Sequence, residues 1–246
     1  MKPSTQNPNR RVAGFTLTEV LVVIAIIVVL AVVSLTVTRR AMDSARSANC
    51  VSNLRDLGAA ALNYTSENNG SLPPICQLDY GKAWTIEAAN RWWPSFLVGS
   101  SAPSAELVYK TWRCPEVGDD EFQKVSSDLV YSSYVTLKPV ITFITPETPT
   151  GGIRLASIRN PEKVWMFGDG GRPLGAADAN RYQTVAAIER YGKSWATANR
   201  PAFRHNGGKT AHYVACDGHV ESLTRNDIEN IDQGAFGKFN GTKVEY

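Results

Sequence analysis

The chain has 246 residues, enough to bury one hydrophobic core of moderate size. Charged residues make up 20% of it and aromatic residues 9%, a composition that excludes a wholly disordered chain. The formal charge of +3 belongs to the first 14 residues, which contain Lys2, Arg10 and Arg11 and no acid. Since 3 of the 26 basic residues lie there, the remainder carries 23 basic and 23 acidic residues. The charge therefore indicates a basic N-terminal leader and gives no indication of a nucleic-acid partner.

An apolar span follows this leader and covers residues 15–37, unbroken between residues 20 and 33. As a helix it would be about 34 Å long. That length is enough to cross the hydrocarbon core of a membrane, which is roughly 30 Å thick. The short basic leader is predicted to stay on the cytoplasmic side, as in a secretory signal.

One acidic residue, Glu19, interrupts the apolar span. A carboxylate at the centre of a membrane costs about 2.5–3.5 kcal/mol and less near an interface. Glu19 is the fifth residue after Gly14, so a cut after Gly14 would give Phe15 a free amine one helical turn away. Pairing of this amine with the carboxylate, within a chain or between neighbouring helices, would remove the cost of an isolated charge and set axial register. Two alternatives are a tolerated interfacial acid and an ordinary signal peptide, although an A-x-A cleavage site directly after the span is missing.

The apolar span is predicted to continue into a second helical segment. No proline occurs between residues 9 and 72, and Asn68-Asn69-Gly70 is a strong stop signal. We therefore expect one helix of about 50 residues whose second half packs on a domain. The apolar residues at three- and four-residue spacing in that half are Ala41, Ala45, Ala48, Val51, Leu54, Ala61, Leu62 and Tyr64.

The sequence that follows the long helix predicts a β-sheet. Residues 129–136, 140–145 and 163–167 are rich in β-branched and aromatic side chains, typical of strands, and a short helix is predicted around 185–191. An antiparallel sheet packed against the long helix gives an α+β fold. The scattered aromatic residues are predicted to be core, with a partner surface as the alternative. They are Trp84, Trp92, Trp93, Phe96 and Trp112.

Asp217-Gly218 separates two alternating runs within residues 212–223 and predicts a two-residue hairpin turn. In that register Ala215 would face Val220, and Tyr213 would share their face of the sheet.

The N-terminal segment resembles the signal sequence of type IV pilins and type II secretion pseudopilins. The matching residues are Gly14, Phe15, Thr16, Leu17 and Glu19, with the apolar run behind them. The resemblance implies that a membrane-embedded prepilin peptidase cuts after Gly14 and N-methylates Phe15. It also implies that Glu19 guides assembly with other pilin-like subunits.

This resemblance implies a domain order. We expect a leader peptide over residues 1–14, a transmembrane and assembly helix over 15–38, and an amphipathic continuation over 39–67. A globular α+β domain over 68–246 would lie in the periplasm or on an extracellular filament, anchored in the bacterial inner membrane. The sequence leaves open which machine the subunit serves.

The C-terminal region resembles a motif of a pilin-like subfamily, in which a histidine is followed by nine residues and then Asp-Gly-His. Here the matching residues are His205, Asp217, Gly218 and His219, with eleven residues between His205 and Asp217. The role of this motif is unknown.

Histidines and carboxylates of the C-terminal half are candidate ligands of a metal cluster, because these residue types suit zinc or manganese. Their spacing matches no ligand pattern, so we expect structural roles, no cofactor and no metal site. The resemblance allows one exception, a Ca²⁺ ion at Asp169 or Asp217, because major pseudopilins carry one. The candidate metal ligands are His205, His212, His219, Asp169, Asp217 and Glu221.

The cysteines contain no CxxC motif, so the sequence predicts neither a zinc ribbon nor a thioredoxin-like site. Disulfides and buried thiols both remain open. The four cysteines are Cys50, Cys76, Cys114 and Cys216.

No GxSxG, HExxH or phosphate-binding loop is present, and we expect a structural subunit rather than an enzyme. The alternatives are a membrane-anchored metal-dependent enzyme and an adhesin.

Overall fold

The computed structural model divides the chain into two units, Met1–Met42 and Asp43–Tyr246. The residues that it describes are 16–74, 76–78, 89–97, 112–121, 134–137, 153–173, 182–183, 187–188, 200–230, 238–239 and 244–245.

One helix, α1 (Leu17–Glu67), dominates the N-terminal part, and the predicted long continuous helix is confirmed. Its large apolar side chains up to Met42 are 49–82% exposed. By length and composition alone, α1 could cross a membrane. The helix ends where the sequence predicts, because Asn69 and Gly70 have φ angles of 55° and 78°. The Gly70 amide then donates to the Thr65 carbonyl, which closes the last turn.

The second half of α1 buries a narrower face than predicted. Leu54 and Ala61 are buried, but Ala41, Ala45 and Ala48 are exposed. The missed positions include Thr65, whose hydroxyl donates to the Ala61 carbonyl at 2.7 Å and is thereby satisfied inside the core. The buried face repeats every three to four residues and consists of Cys50, Leu54, Leu57, Gly58, Ala61 and Thr65.

The described strands are mostly short. They are β1 (Cys76–Leu78), β2 (Ala89–Trp92), β3 (Tyr134–Leu137), β4 (Trp165–Pro173), β5 (Tyr182–Gln183), β6 (Ala187–Ile188), β7 (Arg200–Pro201), β8 (Thr210–Ala215), β9 (Val220–Thr224), β10 (Lys238–Phe239) and β11 (Val244–Glu245). Two short helices accompany them, α2 (Trp93–Leu97) and α3 (Arg225–Asn230), with three 3-10 turns at Asp119–Glu121, Leu155–Ser157 and Pro161–Lys163.

The central sheet has the order β6-β3-β4-β8-β9, with β5 and β7 also paired to β4. All of these pairs are antiparallel except β3 with β6. Together with α1 this sheet gives the predicted α+β fold. Separate two-stranded pairs join β1 to β2 and β10 to β11.

The strand predictions are met in part. The strand expected over residues 163–167 is β4, which starts at Trp165 because Pro161–Lys163 forms a 3-10 turn. β3 falls at the end of the segment 129–136, while residues 129–133 and 140–145 lie outside the described residues. The prediction of a helix around residues 185–191 is wrong for Ala187–Ile188. These two residues form β6, which pairs in parallel with β3. Pairing with a neighbouring strand overrides a weak local helix preference.

The hairpin forms where predicted, but its register differs by one residue. Val214, not Ala215, pairs with Val220. The φ angle of Gly218 is 92°, whereas Asp217 is not among the residues with positive φ, so the two-residue turn that needs both positive is excluded. The Gly218 amide donates to the Ala215 carbonyl, which makes a three-residue loop with a glycine bulge. Val220 consequently moves to the opposite face from Tyr213.

Two hydrophobic clusters pack on the sheet. One contains Trp165, Phe203, Ala211, Tyr213, Ala215 and Leu223. The larger cluster joins the buried face of α1 to Val214, Met166 and Phe167. Trp93 belongs to it, 2% exposed, with its ring 5.0 Å from that of Phe167 and 5.7 Å from that of Trp112. The core prediction is thus confirmed for Trp93, Phe96 and Trp112, while the side chains of Trp84 and Trp92 lie outside the described residues.

Candidate functional site

The first turn of α1 is closed by a reciprocal pair of hydrogen bonds. The Thr16 amide donates to Glu19 Oε2 at 2.8 Å, and the Glu19 amide donates to Thr16 Oγ1 at 3.3 Å. This is a capping box, in which the acid satisfies an amide that the helix leaves unpaired. Within a single chain, Glu19 therefore already has a partner. Gly14 and Phe15 lie outside the described residues.

A second site is buried in the unit Asp43–Tyr246, where four distant segments meet. They are α1, the loop before the 3-10 turn Asp119–Glu121, strand β4, and the connection between β7 and β8. Each contributes one side chain that is at most 1% exposed. One N, O or S atom from each of the four lies within 4.8 Å of the others. We call this group the buried centre; its members are Cys50, Cys114, Asp169 and His205.

The shortest contacts in the buried centre involve His205. Its Nε2 atom lies 3.1 Å from Asp169 Oδ2 and 3.4 Å from Cys114 Sγ. Cys50 Sγ lies 3.8 Å from Asp169 Oδ1. Hydrogen bonding between Cys50 and Cys114 joins the two thiols directly. The centre is therefore a compact set of two sulfurs, one imidazole nitrogen and one carboxylate.

A tight turn sets the position of His205. Asn206, Gly207 and Gly208 all have positive φ angles, of 52°, 65° and 82°. The His205 amide donates to the Thr210 carbonyl and the Thr210 amide donates to the His205 carbonyl, each at 3.1 Å. The sequence Arg-His-Asn-Gly-Gly is thus a turn, as its composition indicates.

The backbone around Asp169 is held from two sides. The His212 amide donates to Asp169 Oδ2 at 2.9 Å, and the Tyr213 hydroxyl donates to the Asp169 carbonyl at 3.0 Å. The Ala202 amide donates to that same carbonyl at 3.0 Å. The preceding Gly168 has no room for a side chain, because a Cβ atom there would overlap the ring of Tyr213. These contacts fix the direction of the Asp169 carboxylate.

The charges in the buried centre stabilise one another. Burial alone would raise the pKa of Asp169, but His205, with His212 and Arg204, holds it below its usual value. Burial alone would lower the pKa of His205, but the Asp169 carboxylate and Cys114 raise it to about 10. The two side chains therefore form an ion pair at neutral pH.

The two thiols differ. Burial raises the pKa of Cys50 well above its usual value, and Cys114 and Asp169 add to this shift. Burial also acts to raise the pKa of Cys114, but hydrogen bonding from Cys50 and His205 outweighs it and lowers the value to about 7. Cys114 is thus the thiol of the pair that loses its proton more readily.

His212 lies beside the buried centre without belonging to it. Its Nε2 and Nδ1 atoms are 2.9 Å from Ser47 Oγ and 2.7 Å from Ser222 Oγ. Its ring stacks on that of His205 with centroids 4.2 Å apart. Both ring nitrogens are therefore occupied by hydroxyl groups, and burial lowers its pKa.

The residues of the C-terminal motif do not converge. His205 pairs with Asp169, whereas Asp217 pairs with His219, whose Nδ1 atom lies 2.7 Å from Asp217 Oδ1 at an exposed turn. Among the candidate metal ligands from the sequence, Asp169 and His205 both belong to the buried centre, and His212 lies beside it. Glu221 is exposed and takes no part.

Sequence reasoning missed Cys50 and Cys114. Both are present as thiols in the structure, as is Cys216, and Cys76 has only its strand described. Their separation along the chain gives no ligand spacing, so only the number of cysteines could have pointed to them.

The fold is that of an α+β protein built on one long helix. The first half of this helix is apolar and exposed, and the second half is packed in the α+β unit. Residues 9–35 match the family model described as the prokaryotic N-terminal methylation motif. The match supports the type IV pilin and pseudopilin family for this N-terminal segment. The match does not reach the C-terminal motif, which stays a prediction. Searches of curated proteins and of solved structures found no match.

Proposed function

We propose that the protein is a pilin-like structural subunit, made as a precursor and assembled through α1 into a type II secretion pseudopilus or a type IV pilus-like filament. The observation that carries this proposal is the methylation motif at residues 9–35, which runs directly into a 51-residue helix. The other half of that helix is part of a folded unit, so one element would join the assembly surface to the domain.

The exposed apolar side chains of α1 support assembly in or from a membrane. Between Val20 and Val37 they are 49–62% exposed. Soluble monomeric proteins rarely expose a contiguous apolar surface of this extent. Lipid or neighbouring copies of the same helix would cover them. The inner membrane is therefore the proposed location of the subunit before assembly, with the unit Asp43–Tyr246 on the periplasmic side.

Processing would create the charge that Glu19 needs. A prepilin peptidase cutting after Gly14 would leave an amine on Phe15, which the same enzyme would methylate. The capping box already holds the Glu19 carboxylate at the start of α1, next to that new terminus. The partners proposed for this chain are thus the peptidase and other pilin-like subunits.

We assign the protein no catalytic role, because the matched motif is typical of structural subunits. The Asp217–His219 pair lies at an exposed turn, and the buried centre is closed by its own side chains.

The test is the N-terminus of the mature protein. Mass spectrometry of the protein purified from membranes should find a chain that starts at N-methylated Phe15. Expression in cells that lack a prepilin peptidase serves as the control and should leave Met1 in place. An intact Met1 in the presence of the peptidase would contradict the proposal. So would a start near Ala45, where small residues after the apolar span could serve an ordinary signal peptidase.

A further inference from the structure

The buried centre has the dimensions of a metal site. A tetrahedral zinc ion bonds to sulfur at about 2.3 Å and to nitrogen or oxygen at about 2.0–2.2 Å, so its ligand atoms lie about 3.3–3.8 Å apart. The contacts His205 Nε2 to Asp169 Oδ2, His205 Nε2 to Cys114 Sγ, and Cys50 Sγ to Asp169 Oδ2 are 3.1, 3.4 and 3.9 Å. All three are within a few tenths of an ångström of the edges of such a tetrahedron.

The donor set selects among metals. Two thiolates with one imidazole suit zinc, whereas Ca²⁺ and Mg²⁺ prefer oxygen ligands alone. The carboxylate of Asp169 completes four donors, which is the number that structural zinc sites use. The Ca²⁺ ion that the family resemblance allowed at Asp169 fits these neighbours poorly.

We propose that the buried centre binds a single Zn²⁺ ion and that this ion is structural. On binding, the thiols of Cys50 and Cys114 and the imidazolium of His205 each release a proton to the solvent. The two cysteines then ligate as thiolates, His205 through its deprotonated Nε2, and Asp169 through one oxygen. Four side chains fill the tetrahedron, so no position stays open for water or substrate.

Surrounding residues contact three of the four ligands, although His205 Nδ1 is buried with no hydrogen-bond partner among the described residues. The Tyr134 hydroxyl lies 3.3 Å from Cys50 Sγ, and the His212 amide donates to Asp169 Oδ2 at 2.9 Å. The stacked His212 ring and the reciprocal Thr210 bonds hold His205 in place. Cys50, Asp169 and His205 are thus preorganised by contacts outside the buried centre.

A metal-free pair would be a weaker explanation of this geometry. Buried ion pairs seldom repay the free energy lost on leaving water, and a thiol hydrogen-bonds weakly. The Asp169–His205 pair alone gives no reason for two cysteines to face it. A zinc ion does, because it links α1 to strand β4 and to the two loops that carry Cys114 and His205.

The experiment measures zinc in the full-length protein purified in detergent. Elemental analysis should find close to one zinc per chain. After removal of zinc under reducing conditions, added Co²⁺ should give the visible absorption of a tetrahedral site and thiolate-to-cobalt charge transfer in the near ultraviolet. Cys114→Ser and His205→Gln should each lower the zinc content by at least about tenfold.

Two variants serve as matched controls. Cys216→Ser removes another buried thiol, and His219→Gln removes another histidine, both outside the buried centre. Both should keep the zinc and the cobalt spectrum.

Three outcomes would overturn the proposal. The first is a reduced, folded wild-type chain that takes up neither Zn²⁺ nor Co²⁺, a result that needs no variant to fold. The second is a Cys50–Cys114 disulfide in the protein as purified, found by peptide mapping. The third is loss of zinc from the control variants to the same extent as from Cys114→Ser.

Discussion

His205 Nε2 and Asp169 Oδ2 lie 3.1 Å apart, and neither side chain is exposed to solvent. The pair joins strand β4 to the turn before β8, two segments that the sequence separates by more than thirty residues. Few interactions in the described part of the chain are as costly to break on one side, because each partner would be left as a buried charge.

Asp169→Asn should therefore destabilise the chelator-treated protein. The shape is kept but the charge is lost, so His205 stays buried without its anion. We expect the free energy of unfolding to fall by about 3–5 kcal/mol in denaturant titrations. Asp217→Asn, which alters the exposed pair with His219, is the control and should change it by less than about 1 kcal/mol. Equal effects of the two variants would contradict this account.

Gly58→Ala should also destabilise the protein, although alanine is the better helix former by about 1 kcal/mol. A Cβ atom at position 58 would lie 2.6 Å from Val214 Cγ2, so α1 could not approach β8 as closely. We expect a net loss of about 1–2 kcal/mol in thermal or denaturant unfolding.

Val214→Ala removes the atom that causes this clash and provides the control. In its background, Gly58→Ala should cost clearly less than in the wild type. Additive losses would show that the close approach of Gly58 to Val214 does not limit the packing.

Cys216 should be unreactive in the folded protein. Burial raises the pKa of its thiol well above the ordinary value, and Asp217 adds to that shift. Because the unfolded thiol ionises near pH 8.5, unfolding exposes a thiolate that the folded state withholds. Mass mapping after iodoacetamide treatment at pH 8–9 should find Cys216 modified in urea only, and native modification at the urea rate would contradict this.

Glu19→Gln separates the two roles of Glu19. Glutamine keeps the capping box with Thr16 but carries no charge. We expect it to be processed after Gly14 and to fail in filament or pseudopilus incorporation, measured by cross-linking between neighbouring subunits.

Thr16→Val is the counterpart, because it keeps the charge and loses the hydroxyl of the cap, at a cost of about 1 kcal/mol to the helix start. It should still be incorporated. If Glu19→Gln assembled like the wild type, capping rather than charge would be the role of Glu19.

The sequence predicts those features that depend on neighbouring residues. The length of α1 follows from a stretch without proline, and its end follows from Asn69-Gly70, whose positive φ angles stop a helix. The hairpin position follows from Asp217-Gly218. Its register does not, because the bulge at Gly218 depends on how β8 pairs with β4 as well as with β9.

The buried centre could not be predicted, because its members come together only in the folded chain. A thiol on a helix face has no local signature, and Cys50 was not counted among the apolar residues of α1. β6 shows the same limit, since its two residues are a strand through their pairing with β3.

The distance along the chain between the members of the buried centre has a consequence for biogenesis. Cys114 and His205 are 91 residues apart, and Cys50 and Asp169 are 119 apart. Such contacts close large loops and therefore form late, after most of the chain has been synthesised. In a subunit anchored as proposed, Cys50 would until then be exposed on a helix already held in the membrane. During that interval the nascent subunit would be most vulnerable to oxidation and proteolysis.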